Sequence, residues 1–389
     1  MQKKIIQGVT SSLSALFIHD QVRFLEQNGY QVEVVCNNDS TRVYDGLDMT
    51  HIPFEREISL YRDVRSLITL MKHLRRKNPD IVIFSTPKAG LLGMIAGYMT
   101  GTHTRIYAQW GLRLETVKGF KKIILHSTEK ITCMLSTHVI AVSESLADEM
   151  VSRNLVGRGK IVRIGRGSVD GIDLEVFNPE AIDQEVLEAR MTECGLGSDE
   201  FIIGYVGRLT KDKGINELVE AFSKLAGTYS HIRLLLVGDF EEGDPVDGKN
   251  RAIIENDPRI IHQPYTTSPE YYYSMMDVFA FPTYREGFGT VSVEAQAMHV
   301  PVITFDSTGA RDTIIEGKTG LRVMTNDADG LADAIRSMIE YPLMRHRMGR
   351  SAREFVEAYF DRRIIREHVL AFYNMLGEED DPDADYLRA

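Results

Sequence analysis

Short apolar runs alternate with amphipathic helical patterns through both halves of the chain. In the first half, a basic helical pattern over residues 61–78 precedes the apolar run 81–84, and a further apolar run follows at 139–142. In the second half, the runs 202–206 and 278–281 are each followed by a helical pattern. This alternation is typical of parallel sheets with helices on both faces, because parallel strands need a long crossover that is usually helical. The sequence therefore predicts an α/β fold.

Length, composition and cysteine usage predict two domains in a reducing compartment. A chain of 389 residues is long enough for two hydrophobic cores, and 43% hydrophobic residues fit a soluble globular protein. No apolar segment reaches the roughly 18 residues of a membrane span, and the first residues lack the apolar stretch of a signal peptide. The three scattered cysteines fit no disulfide framework and no zinc spacing. We therefore expect a cytoplasmic protein with reduced thiols.

A change in composition predicts where the two domains divide. The region around Pro179 is rich in acidic residues, as expected of a linker, so we expect domains over 1–175 and 176–361. The final amphipathic pattern, 352–376, is long enough to cross between the domains. The acidic tail 379–389 is expected to be disordered and solvated.

The loop after the apolar run 202–206 carries two well-placed cations. It reads Gly-Arg-Leu-Thr-Lys-Asp-Lys-Gly over 207–214 and leads into a helical pattern. Arg208 and Lys213 can flank a diphosphate, the arginine through its planar fork and the lysine as a point charge. The alternative is that both are ordinary solvated surface residues.

The loop after the apolar run 278–281 carries two carboxylates. Glu286 and Glu294 bracket a glycine-rich turn at the start of a predicted helix. The backbone N–H groups and the dipole at a helix N-terminus suit a phosphate, and a carboxylate can accept hydrogen bonds from sugar hydroxyls. The alternative is an ordinary strand–turn–helix unit with two solvated acids. Together the two loops supply the groups needed to hold a nucleoside diphosphate attached to a sugar.

Both loops resemble the donor-site motifs of retaining GT-B glycosyltransferases of family four. The matching motifs are Gly207-Arg208-Leu209 with Lys213-Gly214, and Glu286-Gly-Phe-Gly-Thr-Val-Ser-Val-Glu294. Further segments fit the same pattern at 301–304, 309–311 and 317–320. In the first half, the segments similar to bacterial members that build capsule, exopolysaccharide or O-antigen units are 85–90, 111–115, 141–145 and 167–179. Two motifs in the family's order are more specific than a lone glycine motif.

The resemblance implies the GT-B fold, in which two Rossmann-like domains with parallel sheets face each other across a cleft. The first domain would bind the acceptor and the second the nucleotide-sugar donor. Both loops follow strands, as expected of ligand sites in open parallel sheets. The chain end returns to the first domain in this family, so a helix of about 362–378 is expected to cross back.

The resemblance also implies roles for individual donor-site residues. Arg208 and Lys213 would neutralise the departing diphosphate, Glu286 would contact the hydroxyls of the donor sugar, and Glu294 would bind the ribose. We expect Glu286, Arg208 and Lys213 to be the catalytic set. The other expected donor-binding residues are Gly207, Gly287, Phe288, Gly289, Thr290 and Val291. Transfer in this family needs no metal or cofactor, and no residue cluster here has metal-ligand spacing.

Candidate acceptor-side residues lie in the first half. They are Gly8, Thr10, Ser11, Ser12, Lys88, Trp110 and Arg113. The segment from Gly8 can approach the diphosphate closely, or it can be an ordinary strand-to-helix turn. Lys88 and Arg113 can bind an acceptor phosphate or be solvated surface. Trp110 stands where many relatives carry His, so no catalytic His is assigned; a tryptophan there can stack on a sugar or lipid, or belong to the core.

Charge is divided unevenly between the two halves. Residues 1–170 hold 23 Lys and Arg against 16 Asp and Glu, whereas residues 171–389 hold 22 against 40. The acidic total argues against nucleic-acid binding, whereas the basic half can face an anionic membrane or an acceptor phosphate. Basic amphipathic patterns over 61–78 and 117–130 can lie on a bilayer, or can pack on the domain with a solvated basic face. We expect peripheral contact with the inner face of the plasma membrane.

The function expected from these features is sugar transfer in cell-surface polysaccharide synthesis. A hexose or N-acetylhexosamine would move from a nucleotide sugar, expected to be a UDP-sugar, to a polyprenyl-diphosphate-linked or other saccharide acceptor. Two alternatives stay open. One is a nucleotide-sugar epimerase or hydrolase on the same fold, which would need an acid/base pair near the sugar. The other is a non-catalytic subunit that binds nucleotide sugars.

Overall fold

The computed structural model describes residues 2–38, 47–55 and 59–376, and the chain forms two units. Unit 1 comprises Met1–Gly171 and the segment that begins at Arg363, and unit 2 comprises Ile172–Arg362. The sequence predicts divisions at 175/176 and 361/362, and the structure has them at 171/172 and 362/363. The acidic tail 379–389, predicted to be disordered, lies outside the described residues.

Unit 1 is built on a parallel sheet with the strand order β3-β2-β1-β4-β5-β6-β7. Each neighbouring pair of strands is parallel, as the alternating sequence pattern predicted. The apolar runs become buried strands because both faces of the sheet are covered. The strands are β1 Lys4–Ser11, β2 Gln31–Asn37, β3 Met49–His51, β4 Ile81–Ser85, β5 Thr104–Gln109, β6 His138–Ala141 and β7 Ile161–Val162.

Within the part of unit 1 that the structure describes, five helices connect these strands. They are α1 His19–Gln27, α2 Leu60–Lys77, α3 Pro87–Thr100, α4 Phe120–Leu135 and α5 Glu144–Ser152. Helix α1 begins at His19 because a 3-10 helix over Ser12–Phe17 precedes it. The Ser11 side chain caps that turn by accepting a hydrogen bond from the backbone N–H of Leu13.

Unit 2 is built on a second parallel sheet with the order β10-β9-β8-β11-β12-β13. Its strands are β8 Phe201–Val206, β9 Ile232–Val237, β10 Ile260–Gln263, β11 Val278–Phe281, β12 Val302–Phe305 and β13 Gly320–Val323. Its helices are α6 Gln184–Glu193, α7 Ile215–Ala226, α8 Gly248–Asn256, α9 Glu270–Tyr273, α10 Thr290–Ala297, α11 Ala328–Glu340 and α12 Pro342–Tyr359. Strands β8 and β11 are adjacent where the strand order reverses, so the loops that follow them emerge side by side.

The chain end differs from the single amphipathic helix predicted over 352–376. Helix α12 ends at Tyr359, and a separate helix, α13, spans Arg362–Met375. The break occurs because the backbone at Phe360 and Arg362 hydrogen-bonds to Ile172, as a strand would. Helix α13 then packs on the core of unit 1, where it buries Ile365, Val369, Phe372 and Tyr373.

Candidate active site

The loops after β8 and β11 touch at a glycine. Gly214 ends the first loop with a φ of +71°, a left-handed conformation that favours glycine. A Cβ atom at this position would lie 1.9 Å from the carbonyl oxygen of Pro282, at the start of the second loop. The two loops can therefore pack this closely only because residue 214 has no side chain.

A cation from the first loop meets a carboxylate from the second. The Lys213 ammonium forms an ion pair with Oε1 of Glu286, and the two side chains are only 15% and 18% exposed. The buried Thr283 hydroxyl lies 3.4 Å from the same Glu286 oxygen. The backbone N–H of Glu286 donates to the carbonyl of Thr308 at 2.9 Å, which fixes the loop from its other side.

A second ion pair joins the two loops. Arg285 and Asp212 approach within 2.8 Å, and both side chains are largely buried. The backbone carbonyl of Asp212 also accepts a hydrogen bond from the N–H of Tyr284 at 3.0 Å. These contacts hold the two loops together independently of the Lys213–Glu286 pair.

Arg208 occupies the rim of this arrangement. Its guanidinium is exposed and forms an ion pair with the exposed Glu241. Its backbone carbonyl accepts a hydrogen bond from the buried Tyr205 hydroxyl at 3.0 Å. Burial, and then the nearby Glu286 carboxylate, raise the pKa of Tyr205 well above its usual value, so this hydroxyl stays a donor. The backbone of Arg208 is thus anchored while its side chain is exposed at the mouth of the site.

The glycine-rich turn leads directly into α10. Gly289, with a φ of +89°, is the residue before the helix, and within the described residues no side chain caps the helix there. The predicted turn residue Phe288 is buried instead and packs on Phe360, with ring centroids 5.1 Å apart. Thr290 is exposed at the first helical position and Val291 is partly buried. The turn thus presents backbone and a small polar side chain at the positive end of the helix dipole.

Glu294 lies deeper, on the second turn of α10. Its Oε2 accepts a hydrogen bond from the buried Tyr273 hydroxyl at 2.9 Å. Burial raises the pKa of Glu294 to about 7, although the hydrogen bond from Tyr273 opposes this shift. The carboxyl group therefore changes its charge near neutral pH.

On the acceptor side, Gly8 and Thr10 are explained by packing within unit 1. Gly8 lies inside β1 rather than in a loop, and a Cβ atom there would be 2.0 Å from the Phe84 ring. The Thr10 hydroxyl lies 2.6 Å from that of Thr86, which has a left-handed φ of +69°. Ser11, as a cap, and the buried Ser12 complete the end of the strand.

The remaining acceptor-side candidates have different surroundings. The Lys88 ammonium lies 2.6 Å from Asp63, and the two side chains are 12% and 19% exposed, so the interpretation of Lys88 as solvated surface is wrong. Arg113 is exposed on a short 3-10 turn. Trp110 is partly buried against the core of unit 1, and its ring meets the edge of Phe17 with centroids 6.0 Å apart.

The structure thus brings together Lys213 and Glu286, with Arg208 at the rim and Glu294 deeper in unit 2. Sequence reasoning missed Thr283 and Tyr273. Thr283 had a weak signal, since it directly follows the apolar run of β11, whereas nothing distinguished Tyr273 within the Tyr-Tyr-Tyr run 271–273. Among the described residues, no group of His, Cys, Asp and Glu could hold a metal ion.

Comparison with known proteins decides the family. The model of the family described as Glycosyl transferases group 1 matches residues 189–355, and that of Glycosyltransferase Family 4 matches residues 14–170. The capsular polysaccharide biosynthesis glycosyltransferase CapM of Staphylococcus aureus is 38% identical over 97% of this chain and 98% of its own length. The chain is a family-four glycosyltransferase.

Two further proteins are similar to this family-four glycosyltransferase. The Escherichia coli UDP-Gal:alpha-D-GlcNAc-diphosphoundecaprenol alpha-1,3-galactosyltransferase is 25% identical over 81% of each chain. The structure of sucrose-phosphate synthase from Thermosynechococcus elongatus superposes with a TM-score of 0.81 at 20% identity, covering 97% of this chain and 100% of that one. The predicted family and the predicted GT-B fold, with its two parallel-sheet Rossmann-like domains, are confirmed.

Proposed function

We propose that this glycosyltransferase moves a hexose or N-acetylhexosamine, with retention of anomeric configuration, from a UDP-sugar to a lipid-linked saccharide. The observation that carries the proposal is the Lys213–Glu286 pair, which unites a cation and a carboxylate at the carboxyl ends of two adjacent strands. The N-termini of α7 and α10 lie at the same edge of the sheet. Diphosphate and sugar hydroxyls are the ligands that suit these groups.

Donor binding would exchange ion pairs. The diphosphate competes with Glu286 for Lys213 and with Glu241 for Arg208, because a charge-assisted hydrogen bond to phosphate replaces each carboxylate. The released Glu286 carboxylate then accepts hydrogen bonds from the sugar hydroxyls. Both cations face a group whose negative charge grows as it leaves, so they stabilise the transition state more than the bound substrate.

Glu294 would hold the ribose of the nucleotide. An ionised carboxylate can accept hydrogen bonds from the two ribose hydroxyls, and the Tyr273 hydroxyl fixes its orientation. This contact does not change during transfer, so it contributes to donor binding rather than to turnover.

Transfer would need neither a metal nor an enzymic base. The bond between the anomeric carbon and the diphosphate oxygen breaks while the acceptor hydroxyl attacks on the same face. The acceptor proton passes to the departing phosphate oxygen, so the charges balance without a further group. Lys213, Arg208 and the α10 dipole supply the positive charge that a metal would otherwise provide.

The names of relatives support the acceptor and the pathway. The staphylococcal relative is a capsular polysaccharide enzyme, and the name of the E. coli relative specifies a UDP-Gal donor with an acceptor linked to diphosphoundecaprenol. We therefore propose a role in capsular or related cell-surface polysaccharide synthesis, with a polyprenyl-diphosphate-linked acceptor and no nucleic-acid partner.

The surface of unit 1 supports peripheral membrane contact on the cytoplasmic side. Helix α3 packs between α2 and α4, so the three helices form one continuous layer. Leu60 on α2 and Phe120 on α4 are 82% and 75% exposed, close in sequence to basic residues. Exposed apolar side chains among cations favour an anionic bilayer surface. Within the described residues, no helix is long and apolar enough to cross a membrane.

Nucleotide release from UDP-, GDP- and ADP-sugars, with and without a polyprenyl-diphosphate-linked saccharide, tests the proposal. We expect UDP release that requires the acceptor, and a product whose new linkage keeps the anomeric configuration of the donor in NMR spectra. Sugar conversion or hydrolysis without acceptor would favour the epimerase or hydrolase, and binding without any turnover would favour the non-catalytic subunit. An inverted linkage would contradict the retaining mechanism.

A further inference from the structure

A buried carboxylate lies beneath the Trp110–Gly111 turn of unit 1. Glu129 projects from the buried face of α4 and is only 4% exposed. Its Oε2 accepts two hydrogen bonds, from the Tyr107 hydroxyl at 2.9 Å and from the Gln109 amide nitrogen at 3.0 Å. Both donors lie on β5, immediately before the turn, and both are buried. A buried acid is costly unless such donors satisfy it, so the three residues form one unit.

The carboxylate determines which way the Gln109 amide points. Oε2 of Glu129 accepts hydrogen bonds from both neighbours, so the amide NH₂ of Gln109 faces it. The amide oxygen is then directed the other way, where it accepts the backbone N–H of Gly111 at 3.1 Å. The Tyr107 hydroxyl accepts from the same Gln109 nitrogen at 3.0 Å while it donates to Glu129, which is consistent with this orientation.

The backbone N–H held in this way belongs to an unusual turn. Gly111 has a φ of +139°, which favours glycine and lets the chain turn sharply after β5. Trp110 directly precedes it, and its ring is partly exposed beside Phe17. If the Gln109 amide reversed, its NH₂ would face the Gly111 N–H, and two donors would oppose each other.

We propose that Glu129 is a positioning residue, which acts through Gln109 to hold the Trp110–Gly111 turn so that the Trp110 ring can stack on a sugar ring of the acceptor. The inference rests on the proposed function, because that function supplies the saccharide acceptor. An aromatic ring offers a sugar a rigid apolar face at little conformational cost. Stacking on a sugar depends on the orientation of the ring, which Glu129 sets through Gln109 and the Gly111 N–H.

The sole tryptophan of the chain gives a direct measurement of this effect. We expect Glu129→Leu to shift Trp110 emission and to change its quenching by acrylamide, because the Gly111 N–H loses its fixed acceptor. Gln109→Leu removes the same link to Gly111, while Glu129 keeps its hydrogen bond from Tyr107. This variant should therefore change Trp110 emission in the same way, and it replaces Glu129→Leu in the test if Glu129→Leu does not fold. Glu129→Gln should lie between these variants and the wild type, because the new amide allows Gln109 to reverse.

A second buried carboxylate of unit 1 provides the matched control. Glu33 on β2 lies 2.9 Å from both His73 and Lys77, and Trp110 has no part in this cluster. Glu33→Gln should lower the thermal stability of unit 1 and leave Trp110 emission as in the wild type. If Trp110 emission changed equally in Glu33→Gln and Glu129→Leu, the change would reflect a general loss of packing in unit 1, and the inference would be overturned.

Kinetics and binding then test the substrate role. We expect kcat/KM for a polyprenyl-diphosphate-linked saccharide to fall by about tenfold to a hundredfold in Glu129→Leu, while the affinity for UDP is unchanged. The same acceptor should quench Trp110 in the wild type and less in the variant. Unchanged Trp110 emission would overturn the positioning role, and changed emission with unchanged acceptor kinetics and quenching would overturn the substrate role. If the wild type transferred no sugar, that result would contradict the proposed function instead. The comparison of Trp110 quenching by the acceptor in the wild type and in Glu129→Leu would still test this inference.

Discussion

The donor loops of unit 2 and the acceptor-side candidates of unit 1 show two different uses of similar residues. In unit 2 the two loops contact each other, and Lys213 on one pairs with Glu286 on the other. In unit 1 several candidates are tied to a neighbour of their own, as Gly8 is to the Phe84 ring and Lys88 is to Asp63. A cluster that joins two loops at the end of adjacent strands indicates a ligand site, whereas glycines and hydroxyls at a strand end can be explained by packing.

The surfaces of the two units also differ in charge and in exposed apolar side chains. Unit 1, residues 1–171 with 363–389, holds 26 Lys and Arg against 23 Asp and Glu, whereas unit 2, residues 172–362, holds 19 against 33. Exposed large apolar side chains lie mostly in unit 1 among the described residues, notably on α2 and α4. The difference supports a division in which unit 1 meets the acceptor and its membrane, and unit 2 holds a soluble donor.

Removal of the Lys213 ammonium should have the largest effect. We expect Lys213→Ala to lower kcat on the order of a hundredfold or more, with a smaller change in donor KM, because the cation meets charge that grows in the transition state. Steady-state release of UDP from a UDP-sugar in the presence of acceptor measures both constants.

Lys211 is the matched control in the same loop. Its side chain is exposed and lies 3.7 Å from Asp247. An exposed ion pair of this kind contributes little to the stability of the fold. Lys211→Ala should therefore behave as the wild type. Full turnover by Lys213→Ala, or an equal loss in both variants, would contradict the assignment of this loop.

The contact between the donor loops gives the next largest effect. Gly214 and Gly317 have nearly the same φ, +71° and +70°, but a Cβ atom meets Pro282 only at the first. Both alanine substitutions carry the strain of a left-handed residue, about 1–2 kcal/mol, and Gly214→Ala adds overpacking of about 1–3 kcal/mol. Denaturant unfolding should show this difference, and Gly214→Ala alone should weaken UDP-sugar binding. Equal behaviour of the two variants would show that the close approach of the loops is not required.

The sequence predicted the strand–loop–helix units of both sheets because apolar periodicity and glycines are local signals. It predicted Lys213 and Glu286 as donor-site residues, but it could not show that they meet, because that pairing depends on the adjacency of β8 and β11. The space around Gly8 could not be predicted either, since its neighbour Phe84 lies on another strand. One sequence feature pointed to Glu129, since it lies four residues before Cys133 and both are on the buried face of α4.

The charge of Glu294 predicts a pH dependence of donor binding. Because burial raises its pKa to about 7, the carboxyl is mostly protonated at pH 6 and mostly ionised at pH 8. Only the ionised form can accept from both ribose hydroxyls, so affinity for a UDP-sugar should rise by up to about tenfold between these values and then level off. Calorimetric titration with a UDP-sugar avoids the terminal phosphate of free UDP, which ionises near pH 6.

Substitutions at Glu294 separate this effect from other groups that titrate. Glu294→Ala should weaken donor binding about tenfold at pH 8 with little change in kcat, because a hydrogen bond to a charged group is lost. Glu294→Gln should remove most of the pH dependence. A pH profile that is unchanged in Glu294→Gln would assign the titration to another group.

The free energy of membrane binding should be the sum of small contributions from many basic residues. Each basic residue near an anionic surface contributes about 1 kcal/mol and is screened by salt, so vesicles with anionic lipid should sediment the protein at low salt and release it at high salt. Neutralisation of Arg75, Arg76, Lys121 and Lys122 on α2 and α4 should weaken sedimentation without loss of donor binding.

Exposed cations of unit 2 provide the control for the vesicle experiment. They are Lys249, Lys318, Arg347 and Arg350. Their neutralisation should leave sedimentation as it is in the wild type. A wild type that ignores anionic vesicles even at low salt would indicate a soluble acceptor, and an equal loss in both variants would remove the proposed difference between the units.

The smallest expected effect is that of metal removal. Arg208 and Lys213 of the first donor loop, together with the α10 dipole, already face the proposed diphosphate, so transfer should continue in excess EDTA at the wild-type rate. Activity that is lost with EDTA and restored by magnesium or manganese would show that Lys213 and Arg208 are not sufficient.

Hydrogen exchange of the backbone amides tests most directly whether the two units divide the substrates. We expect a UDP-sugar to slow exchange in the loop 207–214 and in the segment 286–294 of unit 2, and a polyprenyl-diphosphate-linked saccharide to slow exchange around Trp110 and Gly111 in unit 1. Protection of the unit 2 loops by the acceptor, or no protection of them by any nucleotide sugar, would contradict this division.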